Sequence, residues 1–177
     1  MAVVLRRIST FSKKHPVLRG MMTYAVLWPS SNICQQFIQG REETNISESA
    51  RFCVFGTLYV APTLYLWVKI SSYMFPGQSL KIAVKKVACE QFMYSPFAIS
   101  SFYIGMSLLE GKTWDGAVDE LKSKFVQTYK TGLLFWPAVQ TINFAYVPQR
   151  NRVSVTGVAS FFWTIFLSYM KHKNGPV

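Results

Sequence analysis

The chain is short of acid. It has 8 Asp+Glu against 19 Lys+Arg, a formal net charge of +11, and no acidic residue before Glu42. Charged residues of both signs make up 15% of the 177 positions, where a soluble domain carries about a quarter. Histidine is nearly missing too: His15 and His172 both stand outside the apolar segments, and neither shares a motif with a nucleophile. There is no HExxH, no Walker sequence and no Gly-rich phosphate loop. No apolar segment holds a pair of carboxylates for acid–base work. These absences leave no case for an enzyme and none for a cofactor or a metal. Cysteine is sparse and odd in number, at Cys34, Cys53 and Cys89, each in or beside an apolar stretch. That excludes a disulfide framework and fits no zinc spacing, leaving three small buried hydrophobes.

The surplus of basic charge has three readings: nucleic acid, an anionic membrane, or flanks around membrane spans. Its distribution separates them. The lysines and arginines form no long stripe of the kind a nucleic-acid binder presents, so no direct nucleic-acid contact is expected. They sit in short groups between apolar segments. Half the residues are hydrophobic and 16% aromatic, with a mean hydropathy of +0.19.

A membrane-spanning helix needs about 20 mostly apolar residues. Five segments qualify: about Pro16 to Ile38, Arg51 to Phe75, Val87 to Leu109, Thr131 to Val147 and Val153 to Met170. The first and fourth are weaker because they contain Asn and Gln. The acids test this division, since seven of the 8 fall in or beside two connections: Glu42, Glu43 and Glu48, then Glu110, Asp115, Asp119 and Glu120. The other connecting segments are purely basic: Arg6, Arg7, Lys13, Lys14 and Arg19; Lys81, Lys85 and Lys86; Arg150 and Arg152. With five spans the basic segments share one side, as loop orientation by Lys and Arg favours. Four full spans with one tilted or re-entrant segment is the rival arrangement. Either way the expectation is an all-α, polytopic transmembrane bundle of four to five kinked spans, one integral membrane domain over residues 1–177 with the lipid bilayer as its surroundings.

Two flanking segments add to this. Residues 1–15 form a basic flank, and the first 20 residues, basic, hydroxylated and free of acid, resemble a mitochondrial presequence as well as a juxtamembrane flank. Residues 110–130 form an amphipathic connection between the third and fourth spans. Within it Ala117, Leu121, Phe125 and Tyr129 recur every four residues beside Val118, the stripe of an amphipathic helix. That helix lies on the membrane surface or caps the bundle.

Four spans contain an interior proline: Pro29, Pro62, Pro96 and Pro137. These are expected kink sites, tolerated where neighbours or water satisfy the freed carbonyl. Two follow tryptophan, in WPSSNICQQF and WPAVQTINF, which hints at an internal repeat. Polar side chains gather in the same spans. Asn32 and Gln36 are one turn apart with Gln35 beside them; Gln140 and Asn143 share a face with Trp136; Glu90 and Gln91 open the third span. A carboxylate within the bilayer is costly, so Glu90 should face protein or water, with Lys86 four residues earlier as a partner. These groups either line a narrow hydrated path for small polar solutes or ions, or hydrogen-bond between helices and fix their packing, at about 0.6 kcal/mol per contact. Ser101 and Gly105, spaced at four, suit close helix packing.

The same residues carry a family resemblance. Trp136, Pro137, Gln140, Asn143, Phe144, Val147, Pro148 and Arg152, followed by Trp163, Leu167 and Ser168, resemble the C-terminal signature of the Mpv-seventeen family, which also holds the twenty-two-kilodalton peroxisomal membrane protein. SFYIGMSLLEGK, Ser101 to Lys112, looks closest to its Mpv-seventeen-like branch. Lys85, Lys86, Glu90, Gln91 and Pro96 resemble the family's K-K-x-x-x-D-Q and later proline, with Glu for Asp. Asn32 and Gln35 resemble its G-D-x-x-x-Q, with Ser31-Asn32 for Gly-Asp. Pro62, Tyr65 and Trp67 resemble G-P-x-x-H-x-W-Y, with Ala61, Tyr65 and Val68 for Gly, His and Tyr. The resemblance implies an integral membrane protein of the mitochondrial inner membrane or, alternatively, the peroxisomal membrane. It also implies links to reactive oxygen species metabolism, organelle homeostasis and mitochondrial DNA upkeep, and a weakly selective channel. The competing expectation is a non-conducting structural or regulatory protein that acts through membrane protein partners or as a homo-oligomer, with Ala117 to Lys130 as its contact segment.

Overall fold

The computed structural model describes residues 15–77 and 79–172. Among them the regular structure is five helices: α1 (Pro16–Ile38), α2 (Ile46–Met74), α3 (Leu80–Leu109), α4 (Trp114–Tyr146) and α5 (Gln149–His172). Residues 1–14 of the basic flank lie outside the described residues. Short connections make consecutive helices antiparallel neighbours. α1 and α5 run the same way and pair side by side, through Arg19–Asn151 at 2.8 Å, Tyr24–Ser160 at 3.1 Å and Asn32–Ser168 at 2.9 Å. α3 and α4 form the other extensive pair, through Ser107–Glu120 at 2.8 Å and Tyr103–Thr128 at 2.7 Å. The end of the bundle where α1 begins is called proximal below, and the end where it stops distal.

Helix ends are set by turn chemistry rather than by where apolarity begins. The second, third and fifth helices therefore start earlier than the apolar windows beginning at Arg51, Val87 and Val153. Asn45 caps α2, its Oδ1 accepting from Glu48 N at 3.0 Å, and Ser79 caps α3. α1 and α3 both close with a glycine in the left-handed region, Gly40 at φ 71 and Gly111 at φ 81. In each the next residue reaches back to the last turn: Arg41 N to Gln36 O at 3.2 Å, and Lys112 N to Ser107 O at 3.0 Å. The matching turns leave one cation just beyond each helix, at the distal end.

Pro62 removes the backbone bond that would run to Leu58. The helix accommodates it with a π-helical turn at Gly56–Val60, in which Ala61 N reaches back to Gly56 O. α1, α3 and α4 run on through Pro29, Pro96 and Pro137. At Pro29 the freed carbonyl has a partner, because Cys53 Sγ donates to Ala25 O at 3.5 Å. Gly56 is required by close approach: a Cβ there would meet the Trp28 ring at 2.7 Å.

The amphipathic stretch is not a separate element. It is the first half of α4 and continues into the fourth apolar segment without a break, since nothing between Lys130 and Thr131 stops a helix. Its stripe packs inward. Ala117 is buried, and Leu121, Phe125 and Tyr129 pack against the main aromatic core built on Trp28, Phe52, Phe55 and Phe102. Of the two placements open for this stripe, the structure shows the bundle cap.

Outside the core the polarity is inverted. Leu134 is 85% exposed and Phe92 77%, while Asn32 and Asn143 are 0% exposed. In water that arrangement would expose apolar surface and bury amides at a cost on both counts. α2, α3 and α5 are each long and apolar enough to cross a membrane.

Candidate functional site

Two polar clusters lie inside the bundle, one toward each end. The distal cluster is centred on Asn32. Its Nδ2 donates to Glu48 Oε1 at 2.5 Å and to Ser168 Oγ at 2.9 Å. Its Oδ1 accepts from Gln36 Nε2 at 2.8 Å and Ser49 Oγ at 2.7 Å. Ser168 in turn donates to Gln35 Oε1 at 2.8 Å. The Glu48 carboxylate, almost wholly buried, is paired with Arg41 at 2.7 Å, and the His172 ring lies 3.5 Å away. Helices α1, α2 and α5 are thus tied through one amide.

The proximal cluster repeats the chemistry with a different balance of charge. Glu90 accepts from Gln140 Nε2 at 2.5 Å and from the Trp67 indole N–H at 3.0 Å. Gln140 Oε1 accepts from Asn143 Nδ2 at 3.0 Å, and Asn143 also donates to Thr156 Oγ1 at 2.8 Å and Arg152 O at 3.3 Å. Arg152 then clasps the turn between α4 and α5. It donates to Phe144 O at 2.9 Å and Val147 O at 3.0 Å, with its guanidinium 5.2 Å from the Phe144 ring. A cation on the last carbonyls of a helix complements its dipole. Five residues of the C-terminal signature are accounted for here: Asn143, Phe144, Val147 and Arg152 form the clasp, and Pro148 stands in the turn it closes.

The expected Lys86–Glu90 pair does not form. Lys86 is buried, but its ammonium donates to Gly77 O at 3.2 Å, and no ion pair to Glu90 exists among the described residues. A lysine that precedes its acid by four residues is in the less favourable order, and here a loop carbonyl takes it. Gln91 does not join the cluster either. Its Oε1 accepts from Ser95 at 3.4 Å, and its backbone carbonyl accepts from Tyr129 at 2.9 Å.

The two Trp-Pro segments occur on antiparallel helices, α1 and α4. The amides that follow each tryptophan therefore extend toward opposite ends. Thr156 and Ser168 mark the two levels on α5; twelve residues at 1.5 Å rise separate them by about 18 Å. Between the levels is a central cavity of about 90 Å³, lined by residues of all five helices, among them Tyr24, Tyr59, Glu90, Trp136, Ser160 and Trp163. A water needs roughly 10–15 Å³, so the cavity has room for several. Trp136 and Trp163 meet edge to face at 5.7 Å, and Trp163 stacks on Phe135 at 5.8 Å.

A third polar group closes the distal end. Glu120 receives Lys112 at 2.8 Å, Lys171 at 2.8 Å and Lys124 at 2.9 Å, and Glu110 receives Lys112 at 3.1 Å and Lys171 at 3.3 Å. Lys124 also donates to the Lys171 carbonyl. Burial alone pushes the Glu120 carboxyl up, but the three ammonium groups outweigh it and hold the group well below its ordinary 4.5.

Sequence reasoning placed Asn32, Gln36, Glu90, Gln140 and Asn143 among the polar groups, and the structure sorts them into two clusters. It missed Glu48, Glu120 and Arg152 as interior residues, because each read as a loop charge, and Lys171, which lies just past the fifth apolar segment, was not singled out. A signal existed for the first. Asn45 followed three residues later by Glu48 is the spacing of a helix N-terminus, which puts Glu48 on the first turn rather than in a loop.

Five helices with an apolar exterior and amide–carboxylate clusters inside define a multi-pass helical membrane protein. The model of the Mpv17 / PMP22 family matches residues 107–168. Over 172 residues the chain is 36% identical to the Mpv17-like protein of Xenopus laevis, covering 96% of this chain and 84% of that protein. It is 31% identical over 160 residues to the Mpv17-like protein of Bos taurus, covering 90% and 80%. To the mitochondrial inner membrane protein Mpv17 of Caenorhabditis elegans it is 27% identical over 176 residues, covering 98% and 95%. No solved structure matches the chain. The chain belongs to the Mpv17 / PMP22 family.

Proposed function

We propose that this protein resides in the mitochondrial inner membrane, crosses it five times, and forms a small, weakly selective, gated pore through its own bundle. The observation that carries this reading is the central cavity, reached by all five helices and lying between two polar clusters. The clusters act as constrictions: their amides and hydroxyls offer a solute replacement hydrogen bonds where the surrounding wall is aromatic. The proximal cluster is the more permissive of the two, because Glu90 is held by neutral donors alone. Location follows the inner-membrane relative named above. α1 and α4 complete the five spans, with Lys81, Lys85 and Arg150 on one side. A part in reactive oxygen species metabolism and membrane homeostasis goes with the family, and the reading gives the chain no catalytic role.

Planar bilayers test this directly. The purified full chain should give currents, and Asn143→Leu, which opens the proximal cluster, should change unit conductance or open time at least twofold. Silent bilayers across a range of voltage and redox poise would overturn the pore.

A second reading has its own observation. Most polar groups in both clusters are satisfied internally, as a packing device requires. In that reading the chain conducts nothing and acts through membrane protein partners or a second copy. It predicts that Asn143→Leu loses folding before it alters any current.

A further inference from the structure

The central cavity has one acidic residue and no basic residue in its wall, the acid being Glu90. Its carboxylate has no cationic partner among the described residues: Trp67 and Gln140 donate to it as neutral groups. A carboxylate offers about four acceptor positions, so capacity remains after these two bonds. The nearby cations are spent elsewhere. Lys86 serves Gly77 O, and Arg152 serves the carbonyls of the α4–α5 turn. Nothing positive lines the cavity, and its wall is otherwise rich in aromatic rings, including Tyr24, Trp28, Tyr59, Trp136 and Trp163. The Trp28 indole N–H has no acceptor among the described residues. A desolvated carboxylate beside tryptophan and tyrosine faces attracts a weakly hydrated cation: the rings supply negative faces, and the acid supplies the countercharge. A bare metal ion would need several strong oxygen ligands, whereas Glu90 is the one carboxylate in this wall and no group of three His, Cys, Asp or Glu side chains placed to hold a metal occurs among the described residues. A small organic anion would meet Glu90 with no compensating cation.

We propose that the cavity is a binding site for small organic cations of the alkylammonium class, with Glu90 as the counterion and the tryptophan and tyrosine faces as the cage. This names the solute class and rests on the proposed pore reading only for its transport consequence; the binding site stands on the cavity.

Choline is the probe, and its neutral isostere 3,3-dimethylbutan-1-ol is the control. Binding to the detergent-solubilised full chain is read by equilibrium dialysis and by tryptophan fluorescence. Choline should bind saturably, the alcohol at least tenfold more weakly, and acetate not at all. Glu90→Gln should weaken choline at least tenfold, and Trp136→Leu several-fold. Absence of saturable choline binding overturns the proposal, as does an alcohol that binds equally well, or a folded Glu90→Gln chain with unchanged affinity. Should Glu90→Gln fail to fold, the choline–alcohol pair on the unaltered chain decides alone. Bilayer recordings separate the two readings. Silent bilayers with intact choline binding sink the pore and leave the site, whereas currents without choline binding sink the site and leave the pore.

Discussion

At the distal end each buried carboxylate has a cation: Glu48 meets Arg41 at 2.7 Å, and Glu120 meets three lysines at 2.8, 2.8 and 2.9 Å. At the proximal end Glu90 is held by an indole and an amide alone. Both ends face the same task of holding an acid among packed helices. Two of the distal cations come from the sequence just past helix ends, Arg41 after Gly40 and Lys112 after Gly111, so ion pairing there also fastens the turns. Arg152, a buried cation at the proximal end, closes a turn with carbonyls instead. The distal charges are thus tied up in architecture, while the Glu90 charge is left beside the cavity. Three substitutions test that contrast.

The largest effect is expected at Glu120. Glu120→Gln would leave Lys112, Lys124 and Lys171 facing one another with only Glu110 to offset them, and Lys171 is nearly inaccessible to water. Removing one partner from a buried pair costs about 3–5 kcal/mol, and a loss of that order is expected in detergent unfolding at pH 7. The pH dependence has a definite sign. A carboxyl held below its unfolded value stabilises the fold fully above that value and loses the contribution as pH falls toward its folded value. The unaltered chain should therefore lose stability below its ordinary 4.5, and its advantage over Glu120→Gln should shrink there. A gap that is missing at pH 7, or equally wide at pH 3, would show that this knot does not carry the distal end.

The legible part of this fold was the part governed by local pattern. Five apolar segments became five helices, and the stripe of Ala117, Leu121, Phe125 and Tyr129 packed as one face. Asn32 with Gln36, and Gln140 with Asn143, were paired by helical spacing and are hydrogen-bonded as that spacing implies. What escaped depended on other helices. The partners of Glu90 lie 23 and 50 residues away, and only the packed bundle brings them together; the local candidate, Lys86, was drawn off by a loop carbonyl. Glu48, Glu120 and Lys171 were hidden differently. Charge near a helix end reads as solvated flank, and no single-chain pattern shows that two such flanks meet.

The contrast between the clusters themselves is sharpened by the same substitution at each. Glu48→Gln removes the charge that Arg41 answers and brings an amide near both Arg41 and His172. A cost of about 2–3 kcal/mol is expected, below the fully buried figure because Arg41 is 29% exposed and water reaches it. Glu90→Gln removes a charge that no cation answers, so the gain in desolvation offsets the donor left without an acceptor, and stability should move by less than about 1 kcal/mol. Equal losses at the two sites would erase the distinction between a structural and an available carboxylate.

The smallest expected effect lies between the two ends, where neither charge nor amide is involved. Pro29 leaves Ala25 O without its helical donor, and Cys53 supplies one through sulfur at 3.5 Å. A thiol is a weak donor, so Cys53→Ala should cost no more than about 1 kcal/mol. Cys53→Ser tests whether hydrogen bonding or packing is responsible, since a hydroxyl donates more strongly but fills less space. If the carbonyl matters, Ser should retain more stability than Ala. A Ser variant less stable than Ala would make Cys53 a space-filling residue only, and the proline in α1 would then be tolerated by the helix itself rather than by its neighbour.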